Sequence, residues 1–469
     1  MTALASDQTM VAPRAVAIRS HAVLLLQIFA ATLMIFPSYF DIKAVGADGY
    51  AAALFSYVLF FGWLAAALFG MHNPRAYRTP VRMALCGLWL VSLASYALMN
   101  RGELSGTQLT GADRWLLQLV VISGVILGAS EFIRSLDDMH RILRALAWAG
   151  AFAGLVAALQ YWKGLDLTHY LKLPGFSENQ AVGVITIGSR GGHNRVTGTA
   201  SDPIEMGVAA GMLLPLAIYL AVHDTGRSRW RRWLPVLLIA VAIPTSVSRS
   251  GILAAGIGVG VLIAAMPPAQ RVTGLAALPV AVAAVFVSAH GLIGVLKQFF
   301  LAGTSDASIA HRVGEYPWVE QSVRQAPWFG QGGGTYIVTE VHILDNQYLT
   351  SAIELGLVGV AALAFYLIWP AVAALVARSR SADPRLRDLC AALAGAELAA
   401  VVCSYTFDSM SFPMFVGVQA LVAGLIGAAW LLARRESETA AADGITDANE
   451  PLNRYLRASR ETAGQPGGT

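Results

Sequence analysis

Three arginines and one carboxylate, set in three separate stretches of a very apolar chain, are the residues best suited to chemistry. Arg195 lies in His193-Asn194-Arg195-Val196-Thr197-Gly198, and Arg249 in Ser248-Arg249-Ser250-Gly251. Arg312 and Asp345 share the third stretch, in His311-Arg312-Val313-Gly314 and Leu344-Asp345-Asn346-Gln347-Tyr348. Guanidinium forks bind phosphate oxygens bidentately and keep their charge beside lipid, so such a group suits a lipid-linked pyrophosphate. A carboxylate within hydrogen-bond reach can take the proton of an attacking hydroxyl. That makes Asp345 the candidate catalytic residue and Arg195, Arg249, Arg312, Asn346 and Tyr348 the candidate substrate-binding residues.

Simpler roles stand beside these. Asp202 as N-cap, Pro203 in the first turn and Glu205 make a good helix start, which accounts for Asp202 and says nothing about Arg195. Arg249 can be an arginine snorkelling to the interface, although charge near hydrocarbon usually has a partner. Asp345 or Asn346 can cap the helix that follows. The glycines of Pro327-Trp328-Phe329-Gly330-Gln331-Gly332-Gly333-Gly334 can cradle a ligand or merely turn the chain. No Gly-Lys-Ser/Thr follows them, so they form no Walker loop. Neither metal-ligand spacing nor an Asp-x-Asp pair is present, which argues against a metal, a nucleotide-sugar donor or any other cofactor.

The elements that must position these residues are transmembrane helices. Of 469 residues, 56% are hydrophobic and 13% charged, against about a quarter charged in ordinary soluble proteins. The apolar residues fall in runs of roughly 17 to 25, enough to cross a hydrocarbon layer as helices, the form in which backbone groups bond internally. Runs near 21–40, 51–71, 82–99, 115–133, 145–162, 203–222, 233–247, 251–267, 273–291, 347–377, 388–406 and 413–433 predict an all-α, polytopic integral membrane protein of about 12 transmembrane helices. The first run is too long for a signal peptide and lacks its cleavage site, so it reads as a retained span. Cys86, Cys390 and Cys403 lie inside apolar runs and suggest no disulfide framework.

Arginines set the orientation. Arg75, Arg78 and Arg82, then Arg134, Arg141 and Arg144, then Arg227 to Arg232, then Arg271, then Arg378 to Arg387 all fall in turns on one side, which the positive-inside rule makes cytoplasmic. Both termini then face the cytoplasm, and two long loops on the outer side, 163–201 and 292–345, carry Arg195, Arg312 and Asp345, half of the candidate residues. The organisation expected is a cytoplasmic N-terminus (1–20), a polytopic domain (21–433) and a disordered tail (434–469). A net charge of +4, spread over many turns, leaves no nucleic-acid footprint.

Taken in order, these segments resemble the O-antigen ligase and polymerase family, bacterial membrane enzymes that handle undecaprenyl-pyrophosphate-linked glycans. The resemblance covers roughly 195–359 and includes Asp202-Pro203, Ser248-Arg249-Ser250-Gly251, Asp345-Asn346-Gln347-Tyr348-Leu349 and Glu354-Leu355-Gly356. It implies a bacterial inner membrane with the two long loops periplasmic, outer arginines that hold the donor's pyrophosphate, and a His before an Asn that activates the acceptor hydroxyl. Asp345 stands in place of that His, which favours polymerisation of O-antigen or exopolysaccharide repeat units over ligation to a lipid or protein acceptor. The implied partners are an undecaprenyl-pyrophosphate-linked oligosaccharide donor, a glycan or lipid acceptor, the bilayer, a flippase and a chain-length regulator. A reading from another class, a polysaccharide transporter or flippase, rests on Glu397 near the middle of the eleventh run.

Overall fold

A side-chain acceptor followed by proline starts three of the long helices: Thr79-Pro80, Asp202-Pro203 and Asp383-Pro384. Each acceptor takes an otherwise unpaired N–H, and the proline supplies none that needs pairing. A fourth helix starts on a full capping box between Ser105 and Gln108. In this computed structural model, residues 5–42, 49–178, 187–190, 193–269, 271–276, 307–337 and 344–463 are described.

The described helices are α1 Ala5–Ile35, α2 Ala51–Leu68, α3 Pro80–Leu98, α4 Gly106–Phe132, α5 Leu136–Lys163, α6 Pro203–His223, α7 Arg229–Thr245, α8 Arg249–Ala265, α9 Ala307–Gln325, α10 Gln347–Glu354, α11 Gly356–Arg380, α12 Pro384–Cys403 and α13 Pro413–Ala463. Seven of them are long and apolar enough to cross a membrane: α2, α3, α4, α5, α6, α11 and the first part of α13. The protein is a multi-pass, all-α membrane protein. Helices α13, α6 and α4 lie inside the bundle, while α2 and α3 form its rim and leave large side chains such as Phe61 and Leu90 exposed, the face that lipid would cover. Helix α6 packs on α7, α8 and α12, and α4 on α2 and α13.

The arginine-rich turns meet at one end. Arg82 pairs with Glu131 at 3.2 Å, Arg144 with Asp224 at 3.8 Å and His223 with Asp388 at 3.1 Å. Arg378 donates to the Ala265 carbonyl at 2.6 Å, joining the ends of α11 and α8. The helix starts at Asp202, Ser248 and Asn346 lie at the other end.

Three expectations change. The run 347–377 is broken: α10 ends at Glu354 and α11 begins at Gly356, whose φ of +70° lies in the left-handed region that a β-carbon disfavours. The tail expected to be disordered from 434 continues α13 as helix to Ala463, in keeping with its many Ala, Glu and Arg residues, which are good helix formers. Short strands also occur: β1 (Phe40–Asp41) pairs with β2 (Ser177–Glu178), and β3 (Ile187–Arg190) with β4 (His193–Val196). The run 273–291 falls almost wholly outside the described residues.

Candidate functional site

Strand β4 delivers Arg195 and runs straight into the turn before α6. Gln160 of α5 fixes that turn by two hydrogen bonds to one residue, accepting from Gly198 N at 2.8 Å and donating to Gly198 O at 3.1 Å. Thr199 donates to Met34 O of α1 at 2.7 Å. Asp202 then caps α6 through Ile204 N at 2.6 Å. One turn on, the buried Glu205 accepts from Ser201 N and Oγ, and its other oxygen accepts from Met414 N at 2.6 Å. The same carboxylate therefore closes the starts of both α6 and α13.

Arg195 Nη2 lies 3.9 Å from Asp202 Oδ1, within ion-pair range and beyond a hydrogen bond. Its Nε and Nη2 are withdrawn from solvent and meet no acceptor among the described residues. A buried donor of this kind asks for an explanation, and an anion is a natural one. Burial raises the Asp202 carboxyl above its ordinary range, with the Ile204 N–H and Arg195 pulling it down and Asp345 pushing it up.

Arg249 is the first residue of α8 rather than part of a turn. Ser248 caps that helix through Gly251 N at 3.4 Å. Before it, Val247 takes a φ of +49°, an uncommon conformation for a β-branched residue and one that costs of order 1–3 kcal/mol. This strained corner brings the chain directly out of α7 into Arg249. Gly207 and Gly251 then let α6 and α8 touch at backbone distance. Ser250 ties the start of α8 to the end of α12: Thr406 Oγ1 donates to Ser250 Oγ at 2.7 Å, and Cys403 Sγ to Ser250 O at 3.4 Å.

The loop between α12 and α13 in turn holds α10. Gln347 N donates to Ser404 O at 2.9 Å, and Met410 N donates to Gln347 Oε1 at 2.6 Å. Asn346, not Asp345, is the cap of α10, its side-chain oxygen accepting from Tyr348 N at 3.0 Å and Leu349 N at 3.4 Å. Tyr348 donates its hydroxyl to Val401 O at 2.9 Å. Both side chains thus serve the scaffold, while Asp345 sits immediately outside the cap, near enough to add to the rise of both Asp202 and Asp408. Burial pushes the Asp408 carboxyl up to about 6, with Ser411 and Thr350 hydroxyls opposing the shift.

Arg312 falls on α9 one turn before Tyr316; its side chain lies outside the described residues. Helix α9 rests on α10 through a small core of Val319, Leu344 and Ile353. The glycine segment resolves in favour of a chain crossing. Gln331 N donates to Ile353 O and Gly332 N to Glu354 O, and a β-carbon on Gly330 would lie 2.3 Å from the Glu354 backbone. Glu354 itself accepts from Tyr336 N at 3.0 Å. Beside it opens a cavity of about 230 Å³ lined by Tyr50, Arg114, Tyr336, Gln347, Glu354 and Asp408.

So α6, α8, α10 and the α12–α13 loop bring Arg195, Asp202, Arg249 and Asp345 to one end of the bundle. Residues 234–364 match the family model described as O-antigen ligase. The chain carries an O-antigen ligase domain. Its membrane function is of the O-antigen ligase or polymerase type, and members of the family are enzymes of glycan transfer. The O-antigen ligase domain contains Arg249, Arg312 and Asp345, while Arg195 and Asp202 precede it. A search of curated proteins finds no match to the chain.

Sequence reasoning missed Gln160, Asp408 and Thr406. The available signals were an amide at the end of an apolar run and a lone carboxylate in the short turn after the eleventh. Among the described residues no group of three or more His, Cys, Asp or Glu side chains is placed to hold a metal ion.

Proposed function

We propose that the O-antigen ligase domain, completed by Arg195 and Asp202, transfers glycan from an undecaprenyl-pyrophosphate donor at the periplasmic face and so polymerises O-antigen or exopolysaccharide repeat units. The acceptor hydroxyl attacks the anomeric carbon, the bond from that carbon to the pyrophosphate oxygen breaks, and undecaprenyl pyrophosphate leaves with the electron pair. Asp345 takes the hydroxyl's proton. The leaving group is already anionic and needs charge stabilisation more than a proton; Arg195, Arg249 and Arg312 supply it as fixed cations.

The observation that carries this reading is Arg195, whose Nε and Nη2 are buried without an acceptor among the described residues, at the same end of the bundle as Arg249. The test is glycan formed from a lipid-linked donor by purified Arg195→Ala, Arg249→Ala and Arg312→Ala variants. Losses of about 10²-fold or more in each support the arginine site; wild-type yields rule it out.

Ligation of a finished glycan to a lipid or protein acceptor uses the same chemistry, and the product formed with each acceptor separates the two. The transporter reading rests on Glu397 alone, whose Oε2 is buried without a hydrogen-bond partner among the described residues. Glu397 accepts from Gln419 at 2.7 Å, and Gln419 accepts from Tyr366 at 2.5 Å, so it belongs to a polar tie joining α12, α13 and α11. Loss of function in Glu397→Gln, with all three arginine variants active, would favour that reading over glycan transfer.

A further inference from the structure

At the arginine-rich end, opposite the candidate active site, a groove of about 860 Å³ opens between the turn before α3, the end of α11 and the stretch of α13 around Trp430 and Arg434. Its size falls within the roughly 300–1,000 Å³ of ligand-binding clefts. The rim is cationic, with Arg75, Arg78 and Arg380 all exposed. The wall below is apolar: Met83, Gly87 and Leu90 recur at helical spacing down one face of α3, and Met83 and Leu90 are 61% and 70% exposed. From Arg82 to Leu90 the helix descends about 12 Å, at 1.5 Å per residue, into the level of the hydrocarbon.

The rim is built rather than incidental. Arg82 reaches back to the Pro74 carbonyl at 2.6 Å and to the buried Glu131, which pins the turn to α4. Asn73 accepts from Arg75 N, Thr79 caps α3, and Tyr77 is stacked between His72 and the Arg134 guanidinium. Arg75 and Arg78 thus stand on an ordered turn, and neither carries an ion pair among the described residues. Across the groove, the Arg380 guanidinium lies 4.6 Å over the ring of Trp430, a residue type enriched at membrane interfaces.

We propose that this groove binds one anionic phospholipid of the adjoining leaflet, the arginines taking the headgroup phosphate and the α3 face taking the upper part of an acyl chain. Cations at headgroup level over an apolar channel match a lipid, since a free anion would gain nothing from the wall. The site is independent of the glycan-transfer reading, because it shares no residue with it.

The experiment is native mass spectrometry of the full chain in detergent, titrated with phosphatidylglycerol or phosphatidylcholine. Phosphatidylglycerol binds at least ~10-fold more tightly, and Arg75→Ala/Arg78→Ala weakens it by about 10-fold. Gly87→Phe, placed where a β-carbon meets nothing within 4 Å, fills the wall and lowers binding without altering charge. Cys86, the exposed cysteine beside Gly87, gives a second measurement on the wild-type residues: phosphatidylglycerol slows its reaction with a small maleimide and phosphatidylcholine does not. Equal retention of the two lipids, unchanged binding in both variants, an unprotected Cys86, or full displacement of the lipid by millimolar inorganic phosphate would each overturn the proposal.

Discussion

Gly207 of α6 and Gly251 of α8 meet backbone to backbone: a β-carbon on Gly251 would lie 2.8 Å from the Gly207 Cα. Small residues let membrane helices approach this closely, and here the contact joins the opening turns of the two helices that begin at Asp202 and Ser248. Gly251→Val is therefore expected to force the helices apart, costing about 1–3 kcal/mol, and to reduce glycan transfer further than the lost stability explains. Gly256→Ala, on the same helix with nothing within 4 Å of the added atom, is the control. Melting temperature and product yield are measured for both; a fully active Gly251→Val would show that the spacing is unimportant.

The division of labour between Asp345 and Asn346 can be separated in one pair of variants. Asn346→Ala removes the cap of α10 and is expected to cost about 0.5–2 kcal/mol. Asp345→Asn leaves that cap in place, so its melting temperature should match the wild type while transfer falls by roughly 10²-fold or more. Unchanged turnover in Asp345→Asn at matched melting temperature means the carboxylate is no base.

Asp408 sets a pH dependence of stability. Its carboxyl, with an ordinary value of 3.8, is held up at about 6 by burial, so the folded protein binds this proton more tightly than the unfolded chain does. The corresponding stabilisation is present at low pH and is lost as pH rises from about 4 to about 6. Asp408→Asn keeps an acceptor for the Ser411 hydroxyl and has no charge to lose. Relative to wild type, its melting temperature is expected to climb through that window and level off above it. A difference that stays constant with pH would contradict the account.

Orientation is open to thiol labelling. With Cys86 replaced by Ser, the remaining Cys390 and Cys403 are buried. A cysteine at Glu103, exposed in the turn before α4, should react with an impermeant reagent in right-side-out inner-membrane vesicles. One at Ser228, exposed in the arginine-rich turn before α7, should react only after the membrane is opened. The opposite pattern would move Arg195, Arg249 and Asp345 to the cytoplasmic face.

The helices were legible because apolar runs of membrane length have few alternatives, and the arginine spacing showed which turns belong together. Asp202 was legible as a cap because capping is local. Which of Asp345 and Asn346 caps α10 was not, since either side chain satisfies the local rule and the choice falls to Gln347, held by Ser404 and Met410 from far along the chain. The break at Leu355–Gly356 was hidden for a similar reason. Gly356 reads as an ordinary glycine in an apolar run until the Trp328 backbone is packed 2.4 Å from where its β-carbon would sit. Gln160 looked like the frayed end of a span, because its partner Gly198 arrives only when the loop folds back.

The shared carboxylate of Glu205 also bears on how the protein is made. One oxygen serves Ser201, and the other serves Met414, 209 residues later in the chain. When α6 is already in the bilayer, the ribosome has not yet produced the Met414 and Phe415 N–H groups that the second oxygen will receive. The start of α6 can reach its final form only after the last helix has inserted. A nascent chain stalled before Met414 would carry Arg195, Arg249 and Asp345 and still lack a finished site, so activity should appear in a single step late in synthesis.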